Sequence, residues 1–225
     1  MNPNAADSAW DIPGDGNRPP FAGRRFVAGQ TGPSLLRGDF EQNLGMQACI
    51  LDAFRRVARP GMAETEIAGI AEQAARDLGS EFAWTFTGGQ EVASGHRTWT
   101  GACTPSTRKV VQRGEFLLVD LHAMYEMMLG DVSHNAIMGK PTAEQIRMHD
   151  AVCKAVDAGE ALLRPGVPAR DVYRAMYDTI ADQGYGAHFP HHGGHGFGLY
   201  AHEPPFFIPA ADEILEEGMT CTLEP

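Results

Sequence analysis

Cysteine is scarce in this 225-residue chain: Cys49, Cys103, Cys153 and Cys221 are widely spaced, and no two form a C-x-x-C pair. A disulfide framework is not needed and a thiolate zinc site is not suggested, and the four are expected to be buried thiols in a reducing compartment. Basic residues are also few, 18 Lys and Arg against 29 Asp and Glu, for a net charge of −11. A protein that grips a phosphate backbone needs a basic face, so nucleic acid is not an expected partner. No apolar run approaches the roughly 20 residues of a spanning helix, and no membrane partner is expected. The opening MNPNAADSAWDIPGDGNRPP lacks a basic region followed by an apolar core. No secretory signal is read there, and the expected compartment is the cytoplasm.

What remains is the composition of a globular domain, 43% hydrophobic and 21% charged. The length suits one sizeable core. Residues 1–38 are crowded with Pro, Gly, Asn and Ser without a period of 2 or 3.6, and read as a flexible tail or covering arm. Residues 39–225 read as the folded domain.

The first helix is expected from Phe40, with Leu44, Leu51, Phe54 and Val57 on one face, Asp39 as cap and Pro60-Gly61 as stop. A second carries Ile67, Ile70, Ala71, Ala74 and Leu78 and closes at Gly79, and Phe82 to Thr87 alternates as a strand. The loop EVASGHRTWTGACTPSTR is long for a connection, so His96, Arg97 and Trp99 are candidates to face a substrate, with a solvated turn as the other reading. Glu115 to Met138 reads as a hairpin turning at Tyr125-Glu126, which sets Asp120 opposite Asp131. Carboxylates facing each other across paired strands, about 5 Å apart, make physical sense with a cation between them.

Thr142 and Gln145 form a capping box ahead of a third helix through Ile146, Val152, Val156 and Leu163, and a fourth is expected over Arg170 to Gln183. Here a repeat emerges. Val57 to Gly79 aligns with Leu162 to Gly184 through Arg59-Pro60-Gly61 and Arg164-Pro165-Gly166, Glu66 and Asp171, and Ile67 and Val172. Two similar halves around a shared cleft are expected.

The stretch from His188 to Phe206 packs His191, His195 and His202 among Gly193, Gly194, Gly196 and Gly198. Such imidazoles ligate metals or move protons near neutral pH, and glycines let backbone and ligand approach closely. Together with Asp120, Asp131 and Glu224 they make an oxygen-rich set with few nitrogens, suited to Mn, Fe(II), Co or Zn, often as a pair.

The Asp120/Asp131 pair, GHGFG with His195, HEPP with His202 and TLEP with Glu224 together resemble the methionine aminopeptidase, prolidase and creatinase superfamily over roughly residues 39–225. The resemblance implies an α+β, pita-bread fold, with two pseudo-repeated α/β halves around a curved antiparallel sheet. It also implies two divalent metal ions held by Asp120, Asp131, His195 and Glu224, with His191 and His202 as proton shuttles on the substrate side. Glu224 would relay a proton as well. His191 points to the Xaa-Pro peptidase and creatinase branches.

The leading expectation is a metal-dependent hydrolase of a small peptide or amide, Xaa-Pro peptidase-like, working as a homodimer. Gly101-Ala102 stands where the peptidases carry a histidine, and VVQRGE at Val110 to Glu115 resembles the creatinase branch. These features support the alternative of a creatinase-like amidinohydrolase or a lyase on a small zwitterion. A binding module of the same fold is the third reading. The resemblance further implies a strand with a bridging glutamate after Pro225, so the domain is expected to be truncated there.

Overall fold

The computed structural model describes residues 34–81, 90–100, 104–189 and 191–225. Helix α1 (Ser34–Val57) buries Met46, Ile50, Leu51 and Phe54 at helical spacing. It begins ahead of Asp39, which lies within the helix rather than capping it, so the expected boundary at residue 38 falls inside a helix. Helix α2 (Glu64–Asp77) turns Ile67, Ala71 and Ala75 onto the same core. The strand expected at Phe82 to Thr87 lies outside the described residues.

Strands β1 (Glu91–Ser94), β2 (Phe116–Tyr125) and β3 (Met128–Ile137) form an antiparallel sheet in that order. Leu117, Val119, Leu121 and Ala123 of β2 pack against α1 and share one core with α2. The β2–β3 turn sits one residue later than expected. Glu126 and Met127 occupy its two central positions, with φ of 49° and 65°. A two-residue hairpin loop with both φ positive matches the twist of its strands, and Tyr125 therefore stays in β2, paired with Met128. The register changes with it: Asp120 lies opposite Ser133, and Asp131 opposite His122.

The second half repeats the plan. Helices α3 (Ala143–Glu160) and α4 (Ala169–Asp182) pack together, and β4 (Gly194–Gly196), β5 (Glu203–Phe206) and β6 (Cys221–Leu223) form a sheet ordered β5-β4-β6. The Thr142/Gln145 capping box closes as expected, with Thr142 accepting from the Gln145 N–H and Gln145 accepting from the Thr142 N–H. Buried Val172, Met176 and Ile180 take the places that Ile67, Ala71 and Ala75 hold in the first half.

Even the connections repeat. Gly61 donates to Val111 and receives no Cβ clash at φ 96°, while Gly166 donates to Leu215 at φ 89°. Val111 donates to Met62, and Leu215 to Val167. Both α2 and α4 end in the same way, with a left-handed glycine (Gly79, Gly184) donating to Arg76 or Ala181 and the next residue donating to Ala75 or Ile180. This is the paired hydrogen-bond pattern that satisfies the last carbonyls of a helix.

Of the thiols, Cys221 is buried, Cys153 half-buried and Cys49 exposed, so burial of all four is corrected. Cys103 lies outside the described residues. Among the described residues no helix is long and apolar enough to cross a membrane.

Candidate metal centre

The centre begins with the pleat of one hairpin. Residues two apart on a strand share a face, so Asp120 and His122 project together, and their cross-strand partners Ser133 and Asp131 project with them. Asp120, His122 and Asp131 are all buried, and one ligand atom from each lies within 4.8 Å of the others. Asp120 and Asp131 thus converge diagonally, with His122 beside them, instead of facing directly. Ser133 Oγ donates to Asp120 Oδ1 at 2.7 Å, which orients that carboxylate.

His195 arrives from the second half on β4, between β5 and β6. Space for that strand exists only because its neighbours in sequence are glycine: a Cβ on Gly194 would lie 2.0 Å from the Thr222 carbonyl oxygen, and one on Gly196 2.4 Å from that of Pro204. The His195 ring is buried, with Nδ1 2.9 Å from the Gly196 carbonyl oxygen. A carbonyl only accepts, so Nδ1 carries the proton, and in the neutral ring Nε2 presents a lone pair. That lone pair lies 3.5 Å from Asp131 Oδ2 and 3.7 Å from Glu224 Oε1. Asp131, His195 and Glu224 form a second group with ligand atoms within 4.8 Å. Two carboxylates and an imidazole nitrogen this close together in a buried site suit a cation between them.

Two overlapping groups therefore share Asp131. Carboxylates with imidazoles and no thiolate fit a divalent ion of the Mn, Fe, Co or Zn type. Cys221, the buried thiol near this sheet, has its pKa pushed up to about 12 by burial and stays protonated.

The other histidines line the same space. His202 lies against His195 with ring centroids 3.9 Å apart and the rings tilted by 35°, and His192 lies 5.4 Å from His195 and 6.0 Å from His202. Burial first, then repulsion from His195, lowers His202 to about 4, although Glu224 and Asp120 pull the other way. Burial likewise lowers His192 to about 4, against the pull of Glu224 and with neighbouring histidines adding to the fall. Both rings are neutral at pH 7. His191 sits behind His192 at 4.9 Å, edge-on to Phe189.

The sequence-predicted residues Asp120, Asp131, His195, Glu224, His191 and His202 are thus brought together. The stretch around His96, Arg97 and Trp99 forms a 3-10 turn, Gly95–Thr100. Arg97 Nε contacts Glu64 at 3.1 Å and its Nη2 donates to the Pro105 carbonyl at 2.6 Å, while His96 is exposed near Glu115 and Trp99 is 74% exposed. Gly101 and Ala102 lie outside the described residues. Sequence reasoning missed His122 and His192. Strand parity with Asp120 was the available signal for the first, and adjacency to His191 for the second.

Comparison with known proteins gives this geometry its context. The model of metallopeptidase family M24 matches residues 45–225. An uncharacterized peptidase of Staphylococcus aureus is 30% identical over 170 residues, covering 74% of this chain and 46% of that protein. The chain therefore spans about half the length of the curated relatives it matches. Among solved structures, the X-Pro aminopeptidase of Thermotoga maritima superposes with a TM-score of 0.79 at 29% identity, over 86% of this chain and 54% of the other. The Xaa-Pro dipeptidase of Bacillus anthracis gives 0.81 at 27% identity, over 86% and 53%. The fold is the α+β pita-bread fold of these proteins.

Proposed function

This chain belongs to metallopeptidase family M24, and from that premise we propose that it hydrolyses the bond before proline in short Xaa-Pro peptides, using two divalent metal ions. The observation that carries the reading is the sharing of Asp131 between two ligand groups, one with Asp120 and one with His195 and Glu224. In this reading Asp120, Asp131, His195 and Glu224 hold the ions, and Mn, Co, Fe and Zn all suit the donor set. Bound there, such ions would supply Lewis-acid polarisation of the scissile carbonyl and activation of the attacking water.

The residues of the chain divide the remaining work. Glu224 is half-buried at the end of β6, where its N–H donates to the Gly193 carbonyl, and its carboxylate takes the proton of the attacking water and returns it to the leaving nitrogen. His202, a neutral imidazole at pH 7 and half-exposed, hydrogen-bonds the substrate oxygen where charge develops. His191 closes the same wall and orients the amide.

A turnover screen tests this with Mn, Co, Fe and Zn, comparing Xaa-Pro dipeptides and longer Xaa-Pro peptides with creatine-like compounds. Release of the amino acid before proline is expected. Turnover confined to the creatine-like compounds would overturn the peptide assignment. A cytoplasmic homodimer is the working state in this reading, checked by light scattering and cell fractionation.

A further inference from the structure

His122 is the buried imidazole that the reading above leaves without a task. Its backbone is locked: its N–H donates to Gln90 Oε1 at 2.8 Å, and its carbonyl accepts from Gln90 Nε2 at 2.6 Å. Gln90 is itself buried, so the side chain acts as a surrogate strand partner at this point of β2. The ring is thereby fixed on the face it shares with Asp120, directly opposite Asp131.

Fixed there, the ring lacks the partners a buried imidazole needs. His122 is 4% exposed, and its Nδ1 is buried with no hydrogen bond among the described residues. Its Nε2 stands 3.8 Å from Asp120 Oδ2, too far for a hydrogen bond. A buried imidazole with an unmade bond costs roughly 1–3 kcal/mol. Ligand atoms of His122, Asp120 and Asp131 gather within 4.8 Å of one another, so one ion with bonds of about 2 Å to N and O would give the ring a partner and the two carboxylates a shared cation.

We infer that His122 is a metal ligand, giving an imidazole to the ion held by Asp120 and Asp131. This rests on the two-metal reading above. Each position then has one histidine, His122 on the first half and His195 on the second, with Asp131 between them. The consequence is chemical. An imidazole beside the two carboxylates adds a nitrogen donor to that position and moves its preference from Mn toward Co and Zn.

The test is titration of the metal-free protein with Co(II), read by metal stoichiometry, visible absorption and the proton NMR of coordinated imidazole N–H groups, which are strongly shifted and vanish in D2O. Wild type is expected to take two ions and show two such resonances. His122→Ala should lose one resonance and weaken one ion by more than the roughly 10–100-fold typical of losing an outer partner. His122→Asp should restore the second ion without restoring the resonance. His195→Ala, the control, should remove the other resonance. Unchanged affinities and both resonances in His122→Ala would overturn the inference and leave the two-metal reading standing. Wild type taking fewer than two ions would overturn that reading, and the inference with it. If a variant fails to fold, the wild-type spectrum alone decides, and a single imidazole resonance would overturn the assignment.

Discussion

Asp131 Oδ2 lies 3.5 Å from His195 Nε2, joining a hairpin of the first half to a short strand of the second. Since Asp131 also belongs to the group with Asp120, its loss should differ in kind from loss of Asp120. Asp131→Asn is expected to leave neither ion tightly bound after dialysis and to abolish turnover, whereas Asp120→Asn should keep the ion near His195. Unfolding of the metal-free Asp131→Asn protein should occur at or above the wild-type midpoint, because a buried like charge is removed. Metal analysis with calorimetry checks this, and a fully loaded, active Asp131→Asn would refute the shared-ligand assignment.

His202 lies against the His195 ring without belonging to either ligand group. His202→Ala should lower kcat by about 10²-fold or more with both ions retained, the range for a group that moves or holds a proton in the transition state. Loss of metal in parallel with activity would make His202 a ligand instead.

Two glycines should respond to alanine in opposite directions. Gly194 has φ of 134° and no room for a Cβ against Thr222, so Gly194→Ala must push β4 from β6, at about 1–3 kcal/mol or more, and displace His195. Gly69, exposed within α2, has nothing within 4 Å of its would-be Cβ, and Gly69→Ala should stabilise by about 0.5–1 kcal/mol. Urea midpoints measure both. Similar shifts in the two would show that β4 is not held as tightly as these distances require.

Glu64 is a buried carboxylate with structural partners on three segments. It accepts from the N–H and Oγ of Ser94, from the N–H and Oγ1 of Thr107, and from Arg97 Nε. Glu64→Ala strands these donors and should cost about 3 kcal/mol, with Glu64→Gln costing less. Protease cleavage within the Gly95–Thr100 turn should accelerate in Glu64→Ala. A neutral result in chemical unfolding would mean that water replaces the carboxylate freely.

Much of this was legible from pattern alone. Period and caps located α4 to within a residue, the start of α3 at Thr142 and the close of α2 at Gly79, because Thr142/Gln145, Gly79 and Gly184 are local signals that tertiary packing did not override, whereas α3 ends at Glu160, short of the expected Leu163. The hairpin was legible but its register was not. Glu126-Met127 is not the Asn-Gly or Asp-Gly pair that announces a tight turn, and a shift of the turn by one residue moved Asp120 from Asp131 to Ser133. Both carboxylates nonetheless kept the same face, which is why the candidate ligands could be named while His122 was overlooked. Arg97 reads in sequence as a candidate to face a substrate or as part of a solvated turn, and only the folded chain reveals buried Glu64 beside it. The start of α1 at Ser34 was hidden by the Pro and Gly just before it.

The two halves meet along a narrow seam: Leu129 donates to Gly198, Met124 and Leu129 pack on Ala201, and Asp131 approaches His195 and Glu224. An ion at that seam is a staple in the topological sense. It closes a loop that contains all of α3 and α4, and because the two ends of that loop come together only in the folded chain, the ion binds the folded state in preference to the unfolded one. At free metal a hundredfold above Kd, a single such site adds about 2.7 kcal/mol to the folded state. A chelator should therefore do more than silence the centre: it should lower the melting temperature and loosen the amides of β4 and of the Gly198–Ala201 segment toward hydrogen exchange before those of α2 or α4.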